Sequence, residues 1–279
     1  MNCTFLVNSC DAYSDLWDPF FKLLEIHWPD CPYPIVLNTE SKTFNHTKFD
    51  VKTFSLYAAG EQIPWGKRLI DTLNLIDTKY ILFTLDDYFF EAPPNMERLN
   101  ECFNWMEQNP SISVFQFKRS LGENIKDGLY PGFEKIPVDH DWRIRCQMAL
   151  WRRDKLISYL MPHESPQQWE AEGSIRCRQY KEDDFYAVED ESPLPAIFTS
   201  LATSGGGLEK GLWRSTVVPL NKKHNLCIDF SKRGFRPEDR IPHKAFMMIY
   251  KMSKITGTYP LAKWVYRTIK GKEANYEKN

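Results

Sequence analysis

The sequence has no C-x-x-C pair, no phosphate-binding G-x-x-x-x-G-K-S/T or G-x-G-x-x-G motif, no internal repeat and almost no net charge. Each absence excludes something. Seven cysteines, an odd number at wide spacing, argue against both a disulfide framework and a zinc site. Free thiols fit a reducing compartment. No apolar stretch approaches the ~20 residues that cross a bilayer. The first residues, MNCTFLVNSCD, lack a basic region followed by a long apolar run. They are therefore expected not to be a signal peptide, and a cytoplasmic location is expected. Without the glycine motifs, a P-loop NTPase or a Rossmann dehydrogenase is unsupported. A net charge of −1 gives no global argument for nucleic acid as a partner.

The 279 residues suit one large α/β domain with room for a small appendage. Aromatics make up 14%, which fits stacking on sugars or bases and fits a bulky core equally well. Residues 4–8 (TFLVN) read as a buried strand. Ser14 or Asp15 then caps a helix carrying Trp17, Phe20, Phe21, Leu24 and His27 at helical spacing. Pro29, Pro32 and Pro34 break it, and residues 35–37 form a second strand. Such a β-α-β opening is typical of a parallel sheet covered by helices.

The pattern repeats with a helical stripe at 65–76, a strand at 80–85 (YILFTL), a helix at 96–106 and a strand at 112–117. Residues 120–142, rich in Gly, Pro and charge, read as a long loop. A strand at 147–151 leads to a short helix capped by Asp154. A further helix is expected over 167–179 and a late strand over 195–201.

Asp86 and Asp87 follow the YILFTL run. In open α/β sheets ligands gather at the carboxyl ends of strands. Adjacent carboxylates repel and resist burial unless a cation compensates them. A divalent metal carrying a pyrophosphate is such a partner, and oxygen ligands suit Mn²⁺ or Mg²⁺. The same pair also fits a solvated turn.

The run W-G-K-R-L … I-D-T-K-Y-I-L-F-T-L-D-D-Y-F-F resembles bacterial GT-A glycosyltransferases of polysaccharide and lipopolysaccharide assembly. The resemblance implies a Rossmann-like, mixed, mostly parallel sheet flanked by helices. It implies a nucleoside-diphosphate sugar donor, UDP-linked by preference, and a glycan or lipid-linked acceptor. L-D-D stands where that family has D-x-D. By the resemblance Asp87 is the better metal ligand, and Asp86 is a second ligand or a donor contact. The donor's base and ribose are expected near Asn8, Ser9, Asp11 and Tyr13, with Glu40 a weaker candidate and Arg68 reaching the pyrophosphate. Asp11 fits an Asx turn equally well.

The stretch QMALWRRDKLISYLMPHESPQQWEAEGSIR resembles the acceptor-side segment of the same family. There an acid at a helix start removes the acceptor proton in inverting members. Glu170 falls at that place, with Glu172 and Glu164 as substitutes; W-E-A-E replaces the commoner E-D pair. Trp169 stacks on a sugar or fills the core. The resemblance also makes His224 a candidate extra metal ligand, although a lone histidine is more often structural, and Gly205–Trp213 (GGGLEKGLW) a segment closing over the donor or an ordinary flexible turn. Asp139, His140 and Asp141 fit a polar loop, an acceptor contact or an extra metal ligand, the polar loop first.

The expected division is a transferase domain over 1–236 and a basic helical tail over 237–279. Residues 241–272 hold seven Lys or Arg and no acid. Mixed with apolar residues, they suit peripheral contact with an anionic membrane face. Two other readings of the chain are a metal-dependent nuclease or phosphohydrolase using Asp86, Asp87 and Glu170, and a non-catalytic nucleotide-sugar-binding module.

Overall fold

Eight strands form one sheet in a computed structural model that describes residues 2–120, 122–189, 192–200 and 206–237. They are β1 (Cys3–Asn8), β2 (Ile35–Thr39), β3 (Val51–Ser55), β4 (Tyr80–Leu85), β5 (Ile112–Gln116), β6 (Phe133–Lys135), β7 (Ala149–Arg152) and β8 (Asp184–Val188). Their spatial order is β3-β2-β1-β4-β7-β5-β8-β6. Neighbours are parallel except where β7 meets β4 and β5, and where β6 meets β8. The sheet is thus mixed, mostly parallel and flanked by helices, as expected. The mostly apolar, almost wholly buried runs of β1 and β4 suit their central places, because both of their faces are covered.

Helix α1 (Trp17–His27), α2 (Trp65–Asn74) and α3 (Met96–Gln108) bury their apolar stripes on this sheet. One cluster gathers Phe5, Phe20, Trp28 and Phe90, with ring centroids 5.8–6.5 Å apart among these pairs. A fully buried Phe stabilises the fold by about 1.5–3 kcal/mol. The opposite face packs Leu69, Leu73, Phe83, Trp151 and Trp169.

Several local expectations are corrected. Ser14 and Asp15 do not cap α1; both lie in a 3-10 turn, Asp11–Leu16, that runs straight into it. Asp154 lies inside the helix Arg153–Ser158 and pairs with Arg153 at 2.8 Å instead of capping. The loop 120–142 contains strand β6. No strand forms over 195–200; a single bridge joins Phe90 to Ser200. Its partner segment carries Pro93 and Pro94, which lack the N–H groups a ladder needs. Leu201 lies outside the described residues, as does Gly205. Strands β3 and β8 were not expected. Each is five residues long with a polar or exposed start, too short for periodicity to reveal.

The chain divides into a compact unit Met1–Phe235 and a second unit Arg236–Asn279. The expected tail from 238 onward, with the membrane-contacting stretch 241–272, lies outside the described residues. Among the described residues no helix is long and apolar enough to cross a membrane.

Candidate functional site

The register of the central strands brings the candidate residues together. Asn8 stands opposite Leu85 in the parallel β1–β4 pair, so Ser9 falls beside Asp86. The Ser9 hydroxyl donates to Asp86 Oδ2 and accepts from Trp17 Nε1 at 2.6 Å. Asp86 and Asp87 are 3% and 9% exposed. Burial, with the charge of Asp87 beside it, raises the Asp86 carboxyl well above the usual range. Burial pushes Asp87 up to about 6, although the Leu208 N–H opposes the shift. Hydrogen bonds tie both carboxylates to the protein: Asp86 to Ser9, and Asp87 to Leu208 N at 3.2 Å.

A hairpin clasps Asp87. Leu208–Glu209 pairs antiparallel with Leu212–Trp213, and Gly207 N donates to the Asp87 carbonyl at 2.8 Å. Gly206 has φ +87°, and a Cβ there would sit 2.2 Å from Asp87 Oδ2. Only glycine permits both that dihedral and that approach. The described part of the segment expected to close over the donor therefore packs on the carboxylate pair itself.

The nucleotide-side candidates divide. Arg68 is buried, not a surface residue, and donates from Nη1 to the Ser9 carbonyl at 2.9 Å; its Nη2 lies 3.5 Å from Glu40 Oε1. Asp11 spends its carboxylate on the Ser41 hydroxyl at 2.6 Å and on the N–H groups of Glu40, Ser41 and Lys42 at 3.1 Å. Burial raises its carboxyl, but these donors hold it below the ordinary value. Asp11 is thus the Asx-like anchor of the β2 exit loop, and Glu40 answers by accepting from the Asp11 N–H. Asn8 accepts from Asn38 at 2.7 Å, and Asn38 accepts from Thr72 at 2.8 Å, a buried chain joining β1, β2 and α2. Tyr13 is half-buried, and the Arg233 guanidinium lies over its ring at 4.7 Å.

The acceptor-side candidates are separated equally clearly. Glu164 is fully buried and bound by Arg176 at 2.8 and 3.0 Å, and it also accepts from Met161 N. That carboxylate is structural and is removed from the substitutes for the base. Glu172 is exposed. Glu170 is partly buried and accepts from Cys146 N at 2.8 Å. Burial raises its carboxyl, opposed by that N–H and by Arg145 and Lys118. Cys146 also accepts from the Tyr88 hydroxyl at 3.2 Å, so Glu170 joins the Asp86–Tyr88 turn through one residue.

Glu170 owes its direction to an irregular helix. Residues 166–179 are helical throughout, but Trp169–Gly173 forms a π turn. A Ser165–Gln168 capping box starts it. Trp169 fills the core, fully buried, donating to the Tyr159 carbonyl at 3.0 Å and packing on Trp65 and Trp151. The loop before it is pinned where Gly66 N meets the Glu164 carbonyl at 2.9 Å; a Cβ on Gly66 would lie 2.1 Å from the Met161 carbonyl oxygen.

His224 packs edge-on against His27 at 5.3 Å, and His163 is exposed. His140 accepts from Trp142 N, and Asp141 pairs with Arg178 at 3.2 Å, both within the loop structure. Among the described residues no three of His, Cys, Asp and Glu gather as a metal-binding group.

Sequence reasoning missed Lys118. It leaves the carboxyl end of β5 and is partly buried. Burial, with Arg145 and Arg214 nearby, lowers its ammonium to about 8, while Asp87 and Glu170 oppose the shift. Only the crossing of β5 and β7 puts it there, and no local pattern marks that crossing.

No protein-family model and no curated protein matches the sequence. Solved structures do match in shape. Full S. aureus TarS superposes with a TM-score of 0.46 at 11% identity, over 69% of this chain and 36% of that one. A shorter S. aureus TarS in complex with UDP-GlcNAc gives 0.46 at 12%, over 69% and 57%. The galactosyltransferase LgtC, in complex with donor and acceptor sugar analogues, gives 0.48 at 9%, over 84% and 98%. The chain spans between 36% and 59% of the length of the TarS structures. At these scores the likeness carries no argument about chemistry, and the reading of the site rests on its own geometry.

Proposed function

We propose that this chain is a glycosyltransferase that moves a sugar from a nucleoside-diphosphate donor to a hydroxyl of a glycan or lipid-linked acceptor in surface-polysaccharide assembly. One observation carries the proposal: two adjacent, buried carboxylates follow β4, and a third, Glu170 on a separate helix, is linked to the same turn through Cys146, which donates to Glu170 and accepts from Tyr88. Buried paired carboxylates are costly even with the Arg233 and Arg214 guanidinium groups acting on them, and such sites are concentrated where function requires them.

The residues fit a divalent cation. Asp86 and Asp87 are adjacent, buried, hard oxygen donors. Mn²⁺ or Mg²⁺ held there would neutralise charge on the departing diphosphate. Arg68, at the Ser9 carbonyl, stiffens the donor side, and the hairpin 206–213 shields it. Glu170 accepts the proton of the attacking hydroxyl, which approaches the anomeric carbon from the face opposite the diphosphate and so inverts it. Its raised affinity for protons suits a base better than an ordinary surface carboxylate.

Thermal-shift screening with UDP, GDP, CDP and TDP, with and without Mn²⁺, tests this. Stabilisation by one diphosphate that needs the metal supports the transferase. No response to any of the four removes it and favours the phosphohydrolase reading.

A further inference from the structure

Residues 143–146 lead towards β7 without forming helix or strand. Arg143, Ile144 and Cys146 are buried, so their backbone polar groups need partners, and side chains supply them. Gln116 Nε2 donates to the Arg143 carbonyl at 2.8 Å. The Ser174 hydroxyl accepts from Ile144 N at 2.9 Å and donates back to the Ile144 carbonyl at 3.4 Å. Cys146 N donates to Glu170 Oε1 at 2.8 Å, and the Cys146 carbonyl accepts from the Tyr88 hydroxyl at 3.2 Å. Arg143 Nη1 donates to the Cys177 carbonyl at 2.9 Å.

These contacts make residues 143–146 a strap with two moorings. The first is the helical stretch 166–179, met at Glu170, Ser174 and Cys177 by Cys146, Ile144 and Arg143 in turn. The second is the turn after β4, met at Tyr88, the residue that follows the aspartate pair. Tyr88 and Ser174 are both buried, and each hydroxyl is spent on the backbone of the strap. A base works only within hydrogen-bond reach of the proton it takes, and a misplacement of about 1 Å costs on the order of 10²-fold in rate. Glu170 and the aspartates come from separate elements, so their spacing depends on what ties those elements together.

Resting on the transferase reading with Glu170 as its base, we propose that Tyr88 and Ser174 are positioning residues, which through the strap 143–146 fix Glu170 relative to Asp86 and Asp87. Tyr88 holds the strap from the aspartate turn, and Ser174 holds it to the helix that carries the acid. Loss of either hydroxyl frees a strap carbonyl and lets Cys146 N shift from the carboxylate. Neither hydroxyl meets a reacting atom, so each acts on the rate only through Glu170.

The test follows UDP released by the full chain with Mn²⁺ from UDP-glucose, UDP-galactose and UDP-GlcNAc. Water stands in for the acceptor: its oxygen bonds the anomeric carbon as the bond to UDP breaks, and its proton passes to Glu170. Tyr88→Phe and Ser174→Ala should each lower kcat about tenfold or more. The donor KM should stay within about twofold, because donor binding is untouched. Added to Glu170→Gln, neither substitution should lower the rate further, since both act through that carboxylate. Tyr80→Phe removes a hydroxyl bonded to Glu107 at the other end of β4 and should leave kcat unchanged. If Tyr88→Phe does not fold, Ser174→Ala in the same two backgrounds decides. Further loss on top of Glu170→Gln overturns the proposal, as does an unchanged kcat or an equal loss in Tyr80→Phe. A wild type that releases UDP from none of the three sugars instead overturns the transferase reading.

Discussion

Asp87→Asn should make the metal-free protein more stable at alkaline pH while abolishing its metal-dependent nucleotide response. Asp87 titrates near 6 in the folded chain against 3.8 for the ordinary side chain. A group whose folded value is raised contributes stability below about pH 4. That contribution is lost as pH rises through about 6, because the folded state must give up a proton it holds more tightly. The shift of about two units corresponds to about 3 kcal/mol. Asn keeps an oxygen to accept from Leu208 N and never ionises, so it escapes the loss. With roughly 2 cal/mol/K of unfolding entropy per residue over 279 residues, the gain is about 5 °C in Tm. Calorimetry of both proteins in EDTA between pH 4 and 8 measures it. Wild type should lose stability across pH 4–7, and the variant should lose less. Added UDP with Mn²⁺ should reverse the order at pH 8. A wild-type Tm flat across this range, or a variant less stable than wild type at pH 8, refutes the argument that the carboxylate is held at a cost until a cation arrives.

Other outcomes follow from the same geometry. Glu170→Gln should keep the UDP shift but lose transfer by about 10²-fold or more. The wild-type rate should fall on the acid side at a higher pH than an ordinary Glu would give, as its raised carboxyl predicts. Gly206→Ala forces φ +87° on a side chain that meets Asp87 Oδ2. Titration calorimetry should show Mn²⁺-dependent UDP binding weakened more than the loss of Tm alone explains. Arg176→Met strands a fully buried Glu164 and should cost about 3–5 kcal/mol in urea melts. Glu164 is spent on Arg176, so a double variant Glu164→Gln, Arg176→Met should regain much of that loss and, with Glu170 as the proposed base, retain turnover.

Much of the frame was legible because long apolar runs announce strands with both faces covered. YILFTL gave β4, and with it the placement of Asp86 and Asp87 at the carboxyl end of a central strand. The stripe at 65–76 gave α2, although not the burial of Arg68, whose hydrogen bond goes to a residue 59 positions away. Strands β3 (VKTFS) and β8 (DFYAV) escaped because five residues are too few to fix a period. Glu170 was reached only through a resemblance. Its distinction from Glu164 and Glu172 depends on Arg176, on Cys146 N and on solvent, none of which local sequence specifies. Lys118 and the grip of Leu208 on Asp87 arise from contacts across more than a hundred residues or from strand crossing, so no window of sequence contains them.

The π turn at Trp169–Gly173 makes the aim of the acid a matter of counting. Upstream, Trp169 is locked in the core; downstream, Arg176 is locked to Glu164. One surplus residue lets both anchors hold while Glu170 points at Cys146. Excising Ala171 would restore ordinary winding between the same two anchors. The seat of the helix would then survive and only the aim of the acid would change, with every candidate side chain still encoded.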